Sequence, residues 1–175
     1  MNIYPTKLIF FAWLGWLCTP TCLHAQSTSV LTLTQERYDV PLKSFYIDSV
    51  RDARKETTLV GHKNGKTPIV LQNSAATALK LFADSNITQD HGQTPVTVAI
   101  SKLDIEARDE QGTWVTDGSV AFSFYAGGMP LVEFSDSGHQ EAGQYAPDYI
   151  DLFIRQSFEG SLKQFDEWWR NRKAK

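Results

Sequence analysis

Cysteine is nearly missing from this sequence: among 175 residues only Cys18 and Cys22 carry a thiol, and both fall in the first 25. A chain that loses that segment has no disulfide, no thiolate nucleophile and no cysteine metal site. An excess of basic charge is missing too. With 17 Lys and Arg against 20 Asp and Glu the formal charge is −3, and loss of Lys7 takes it to −4. A surface that tracks phosphates needs a basic stripe, and the only basic cluster is Arg170, Arg172, Lys173 and Lys175 at the end, so no nucleic acid partner is expected. Beyond the first 25 residues no apolar run is long enough to cross a bilayer. There is no internal repeat, no low-complexity segment and no G-x-S-x-G elbow around any serine. His62, His91 and His139 lie in or beside expected turns or loops, and none has a metal-ligand spacing. No cofactor, metal or catalytic residue is expected. His139 with Glu141 or Asp136, and Asp90 beside His91, are left as parts of a site that only folding could assemble. Glycosidase-type carboxylate pairs are likewise recognised by distance in space, so the sequence is silent about them.

What is present begins with an export signal. Lys7 precedes an apolar run from Leu8 to Cys18, and Leu23-His24-Ala25 puts a small residue before Gln26. That run is too short for an ordinary transmembrane helix, so residues 1–25 are expected to be a signal peptide cleaved near Ala25, with an uncleaved anchor as the alternative. Neither Cys18, after Trp16-Leu17, nor Cys22, after Pro20-Thr21, has the small neighbours of a lipidation site. Residues 26–175 are then one domain of 150 residues in the periplasm or outside the cell, large enough to bury a core without staples.

The stretch "LVGHKNGKTPIVL", residues 59–71, nearly spells a phosphate-binding loop. It fails on both requirements of that loop: only three residues separate Gly61 from Gly65, and Thr67 leads into "PIVL" rather than a helix. Asn64-Gly65 between "TTLV" and "PIVL" instead predicts a hairpin, because a type I′ turn needs two residues that tolerate positive φ.

Before it, "SVLTLTQ" and "SFYIDSV" read as strands, with Pro41 suited to a connection or an edge. After it, "NSAATALKLFADSN" reads as a largely buried helix capped by Asn73 or Ser74, with Ala75, Leu79 and Phe82 on its apolar face and Asn86 closing it in the left-handed region. Asn86-Ile87-Thr88 also fits an N-glycosylation acceptor. A meander follows. Val96, Val98 and Ile100 are apolar on even positions, Leu103, Ile105 and Ala107 on odd ones, which predicts a bulge or bend near Ser101-Lys102. Trp114, Val120, Phe122, Phe124 and Ala126 share one face of the next strand, Gly127-Gly128 turns, and "PLVEFS" makes the third. Residues 136–145 read as a loop.

Pro147 and Asp148 then open a long amphipathic helix, with Asp151 placed for a reciprocal cap and Gly160 for a kink or a close backbone approach. Its stripe of Ile150, Phe153, Ile154, Phe158, Leu162, Phe165 and Trp169 has helical spacing. Taken together these elements predict an α+β fold, a two-layer sandwich of a mainly antiparallel sheet against two helices.

Two stretches stand out as contact surfaces. "DSVRDARKETTLVG" crowds Arg51, Asp52, Arg54, Lys55 and Glu56 at a strand end, either as a local ion-pair network or as a patch in which Arg51 and Arg54 receive an anionic group or a partner. Trp168 and Trp169 are neighbours, about 100° apart on a helix, so both cannot face one narrow seam. They read as a wide core stripe or as a docking surface for a partner or a peripheral membrane contact.

A strand ending in "DSVRDAR", a short gap to "LVG", the helix "ATALKLFADSN" leading into long paired strands and a closing amphipathic helix together resemble the YajG-like lipoproteins of bacterial envelopes, from about Phe45 to Phe165. The resemblance implies a small α+β envelope domain of accessory type with no catalytic residues to carry over. This chain departs from it in lacking a lipidation site and in having Asn86 where such proteins tend to place glycine. The expectation is an exported, non-enzymatic accessory or binding protein of the cell envelope, with an envelope protein as partner. The alternatives are an envelope carbohydrate or peptide hydrolase with a site assembled in space, and a carrier of a small apolar ligand.

Overall fold

The computed structural model describes residues 28–33, 40–41, 44–88 and 93–173. The segment expected as a signal peptide, with Cys18 and Cys22, and the Asp90-His91 pair lie outside them. Strands β1 (Ser29–Leu31), β2 (Val40–Pro41), β3 (Phe45–Asp52), β4 (Leu59–Lys63) and β5 (Thr67–Leu71) precede helix α1 (Ala75–Asn86). Then come β6 (Ile87–Thr88), β7 (Thr94–Glu110), β8 (Thr113–Ala126), β9 (Met129–Ala142) and helix α2 (Pro147–Lys173). The main sheet runs β1-β5-β4-β7-β8-β9, with β3 also on β7, while β2 and β6 form a separate short pair. The chain has the expected α+β fold.

The long pairings, β7 with β8 and β8 with β9, are antiparallel, as two-residue turns between alternating strands require. The register shift between Ile100 and Lys102 is the bulge that the change of apolar parity demands, and it keeps Val96, Val98, Ile100, Leu103, Ile105 and Ala107 all buried on one face. The parallel pairings, β1 with β5 and β2 with β6 among them, were not predicted. Strands β3 and β4 both run parallel to β7 along the same edge, β3 against residues 94–100 and β4 against 105–107. Parallel pairing needs a crossover, and the β4–β5 hairpin with α1 supplies it.

Asn64 (φ 50°) and Gly65 (φ 64°) both take the left-handed region between β4 and β5, as the turn chemistry requires. Gly61 has a different reason to be glycine: a Cβ there would stand 1.8 Å from the carbonyl oxygen of Ile105 on β7. The first glycine of the apparent phosphate loop thus lets two strands approach.

Helix α1 is capped by Ser74, whose hydroxyl accepts from the Thr77 amide at 3.2 Å, and it buries Ala75, Leu79, Phe82 and Ala83. Asn86 does not close it in the left-handed region; the chain passes straight into extended Ile87 (φ −113°). The Asn86 side chain is buried and donates to the Phe82 carbonyl at 2.9 Å, which withdraws it from glycosylation.

The segment expected as a loop after residue 136 is strand as far as Ala142, because the cross-strand pair Gly118 and Gly138 forms a hollow for the Phe153 ring of α2. A Cβ would meet that ring at 2.4 Å from Gly118 and at 2.7 Å from Gly138. Helix α2 is long, as its periodicity predicts. Phe158 packs edge-on to Phe82 and Phe122, and Phe165 stacks on Phe124 with centroids 4.3 Å apart and meets Phe45 edge-on. Each such buried ring is worth roughly 1.5–3 kcal/mol relative to exposure. Asp151, expected as a cap, instead receives the Arg155 guanidinium one turn on, at 3.0 Å and out of solvent. Gly160 faces open space, so no close approach explains it.

Candidate functional site

Both helices lie on one face of the sheet, and the other face is polar. Ser49, Arg51, Asp104, Glu106, Arg108, Asp117, Ser123, Tyr125, Glu133, Ser137, His139 and Glu141 fall on that second face, as the register of β3, β7, β8 and β9 dictates.

Of the four residues expected to make contacts, Arg54 is committed inside the fold. Its Nε and Nη2 grip the Asp52 carboxylate at 2.9 and 2.7 Å. Its Nη1 donates to the carbonyls of Leu59 at 2.8 Å and Leu103 at 3.0 Å, and Nη2 also reaches the Thr57 carbonyl at 3.4 Å. All five N–H donors of a guanidinium are thereby used. The position explains the need: β3 leaves β7 at Asp52, β4 joins it at Gly61, and β7 bulges between, which strands carbonyls that the ladder cannot satisfy. Arg54 belongs to the local ion-pair reading of its stretch. A shallow depression of about 260 Å³ lies beside this clamp, lined by Lys55, Glu56, His62 and Asp104 among others, with both charge signs on its rim.

Arg51 is exposed, and its guanidinium lies 4.2 Å from the centre of the Tyr125 ring. Trp168 and Trp169 are half-buried and straddle Phe165, each 5.6 Å from its ring. Arg172 covers Trp168 at 5.2 Å. Phe165 stacks on Phe124, the neighbour of Tyr125, so the Arg51 and Trp168 groups gather at one end of the sheet on opposite faces.

At the other end of the polar face a charge cluster forms. His139 Nδ1 is 2.7 Å from Asp117 Oδ1, and its Nε2 is 3.6 Å from Glu141 Oε1. Arg108 joins the second Asp117 oxygen at 2.5 Å and Glu110 at 2.5 Å. Hydrogen bonds from His139 and then Arg108 hold the Asp117 carboxyl below the usual range, and Asp117 in turn raises the His139 imidazole. Hydroxyls of Ser123 and Ser101 lower Glu133 in the same way, while burial, with the charges of Asp117 and Asp136 behind it, raises the Tyr149 phenol. Of the two partners considered for His139, Glu141 is brought near. Asp136 turns to the helix side and accepts from Ser157 at 2.8 Å. Asp117 was missed, because cross-strand neighbours that far apart in sequence leave no local signal. The cluster is an open array of ion pairs, with the His139 side chain 57% exposed. Among the described residues no group of His, Cys, Asp and Glu could hold a metal ion, and no helix is long and apolar enough to cross a membrane.

No protein-family model matches the sequence, and no curated protein matches it significantly. Among solved structures, the chain is similar to protein XCC0632 from Xanthomonas campestris, of the DUF330 family, at 9% identity and a TM-score of 0.46, over 81% of this chain and 94% of that one. An uncharacterized protein is similar at 10% identity and a TM-score of 0.39, over 81% and 97%.

Proposed function

We propose that the chain is an exported, non-enzymatic accessory or binding protein of the bacterial cell envelope, of the YajG-like type, acting through protein or envelope contacts. The observation that carries this reading is the presence at one end of the sheet of two groups of half-exposed aromatics and arginines, Arg51 with Tyr125 on the polar face and Trp168 and Trp169 with Arg172 on the helix face. Aromatic and arginine side chains are the residues that contribute most at protein interfaces. Export rests on the apolar run from Leu8 to Cys18 and the small residue at Ala25. Native mass spectrometry of the protein, isolated gently from its own cells, tests all parts together. The expected spectrum shows a mass beginning at Gln26 and a complex with an envelope protein that Arg51→Glu or Trp168→Ala removes. A lone monomer in that spectrum and in pull-down experiments, or turnover of envelope glycan or peptide by the purified chain, overturns the reading.

A further inference from the structure

We propose that Lys63, Asn64, Thr67 and Ser29 form a binding site for a phosphate group, at the opposite end of the sheet from the aromatic contacts. The site goes beyond the contact function and does not depend on it. A depression of about 290 Å³ opens between the start of β1 and the β4–β5 hairpin, lined among the described residues by Thr28, Ser29, Lys63, Asn64 and Thr67. Every one of these side chains offers a hydrogen-bond donor and none is a carboxylate. Lys63 makes no ion pair with any described carboxylate; its ammonium rests instead over the rings of Trp114 at 4.7 Å and Tyr145 at 4.3 Å. Those rings meet edge-on, and the Tyr145 hydroxyl is tied to Ser29 Oγ at 3.1 Å, so the charge is held in place beside the depression without being neutralised.

Asn64 is oriented as well. Its Oδ1 accepts from the Asp109 amide at 2.8 Å, which commits the acceptor end of the side chain and leaves the NH₂ end to donate. Lysine binds phosphate as a point charge, without the fixed bidentate geometry that the arginine fork imposes on carboxylate and phosphate alike. A depression lined by one lysine and by hydroxyl and amide side chains from the start of β1, the turn and β5, with no carboxylate among them, fits the several oxygens of a phosphate. The mode is not that of a nucleotide loop, because no helix begins here.

The experiment titrates the folded protein with inorganic phosphate while following the Asn64 side-chain amide and the Trp114 indole N–H by NMR, and in parallel measures sedimentation with phosphatidylcholine vesicles with and without phosphatidylglycerol. Lys63→Gln should weaken binding about tenfold or more, the loss of one charge-assisted contact. Asn64→Asp should abolish it while keeping the fold, since aspartate tolerates the left-handed turn and still accepts from Asp109. Saturable, Lys63-dependent shifts with phosphate support a free phosphate ligand. Lys63-dependent binding to phosphatidylglycerol vesicles alone supports a lipid headgroup. No binding by either probe, binding unchanged in both variants, or equal response to acetate overturns the proposal.

Discussion

Arg54 and Lys63 are cations that flank the same interior strand, one before β4 and one at its end, and they have opposite fates. Arg54 has a buried carboxylate and three carbonyls around it and no donor left. Lys63 has two aromatic faces beneath it and a donor-lined depression beside it. The difference lies in the backbone around each. At Arg54 the ladder is broken, and the planar fork fills the break; at Lys63 the ladder is complete up to the turn, so nothing in the fold consumes the charge.

The comparison makes Arg54→Met the most damaging of the cation replacements. Asp52, whose side chain is 3% exposed, would be left as an uncompensated buried carboxylate. The expected loss is roughly 3–5 kcal/mol, read from the midpoint of urea unfolding, and Asp52→Asn in the same chain should recover part of it. Gly138→Ala tests the neighbouring claim that α2 is seated by space rather than charge. Pressing a Cβ on the Phe153 ring should cost about 1–3 kcal/mol, and Phe153→Leu should relieve some of that. Lys63→Gln should cost less, below about 1 kcal/mol, because a partly exposed cation over aromatic rings contributes little to stability. A large loss there would erase the contrast between the two cations.

The smallest expected effect is a pH dependence from the polar face. Asp117 raises the His139 pKa above its ordinary value of 6.5, so this pair stabilises the fold fully below that value and the contribution is lost as pH rises through the raised one. The lowered Asp117 carboxyl contributes above its ordinary value of 3.8, and that part is lost as pH falls through the lowered one. Thermal unfolding of His139→Gln beside the parent should therefore show a gap that closes on the alkaline side. A gap independent of pH would mean that the imidazole acts only by packing.

Much of the fold was legible in particular residues. The parity change from Ile100 to Leu103 announced the bulge, Asn64-Gly65 announced the turn, and the spacing from Ile150 to Trp169 announced α2. Residues 136–142 misled, since Gly138 and the serines around it look like a loop until Phe153 is placed above them. The site was less legible. Arg51, Arg54, Trp168 and Trp169 were visible as chemistry, but whether each was free depended on what the rest of the chain put next to it. The pairing of His139 with Asp117, and the two rings beneath Lys63, join β4, β8, β9 and the segment before α2, and no local pattern encodes them.

By itself the sequence determined the α+β class, the existence of the hairpin, meander and closing helix, and the lack of cysteine outside its first 25 residues. These follow from periodicity, turn residues and composition, which act over a few neighbours. Only the tertiary structure decided that β3 and β4 share one edge of β7, that Arg54 is consumed there and that Lys63 is not. Those outcomes depend on which backbone groups are left without partners when distant strands meet, and hydrogen-bond satisfaction is settled over the whole sheet rather than within any one stretch.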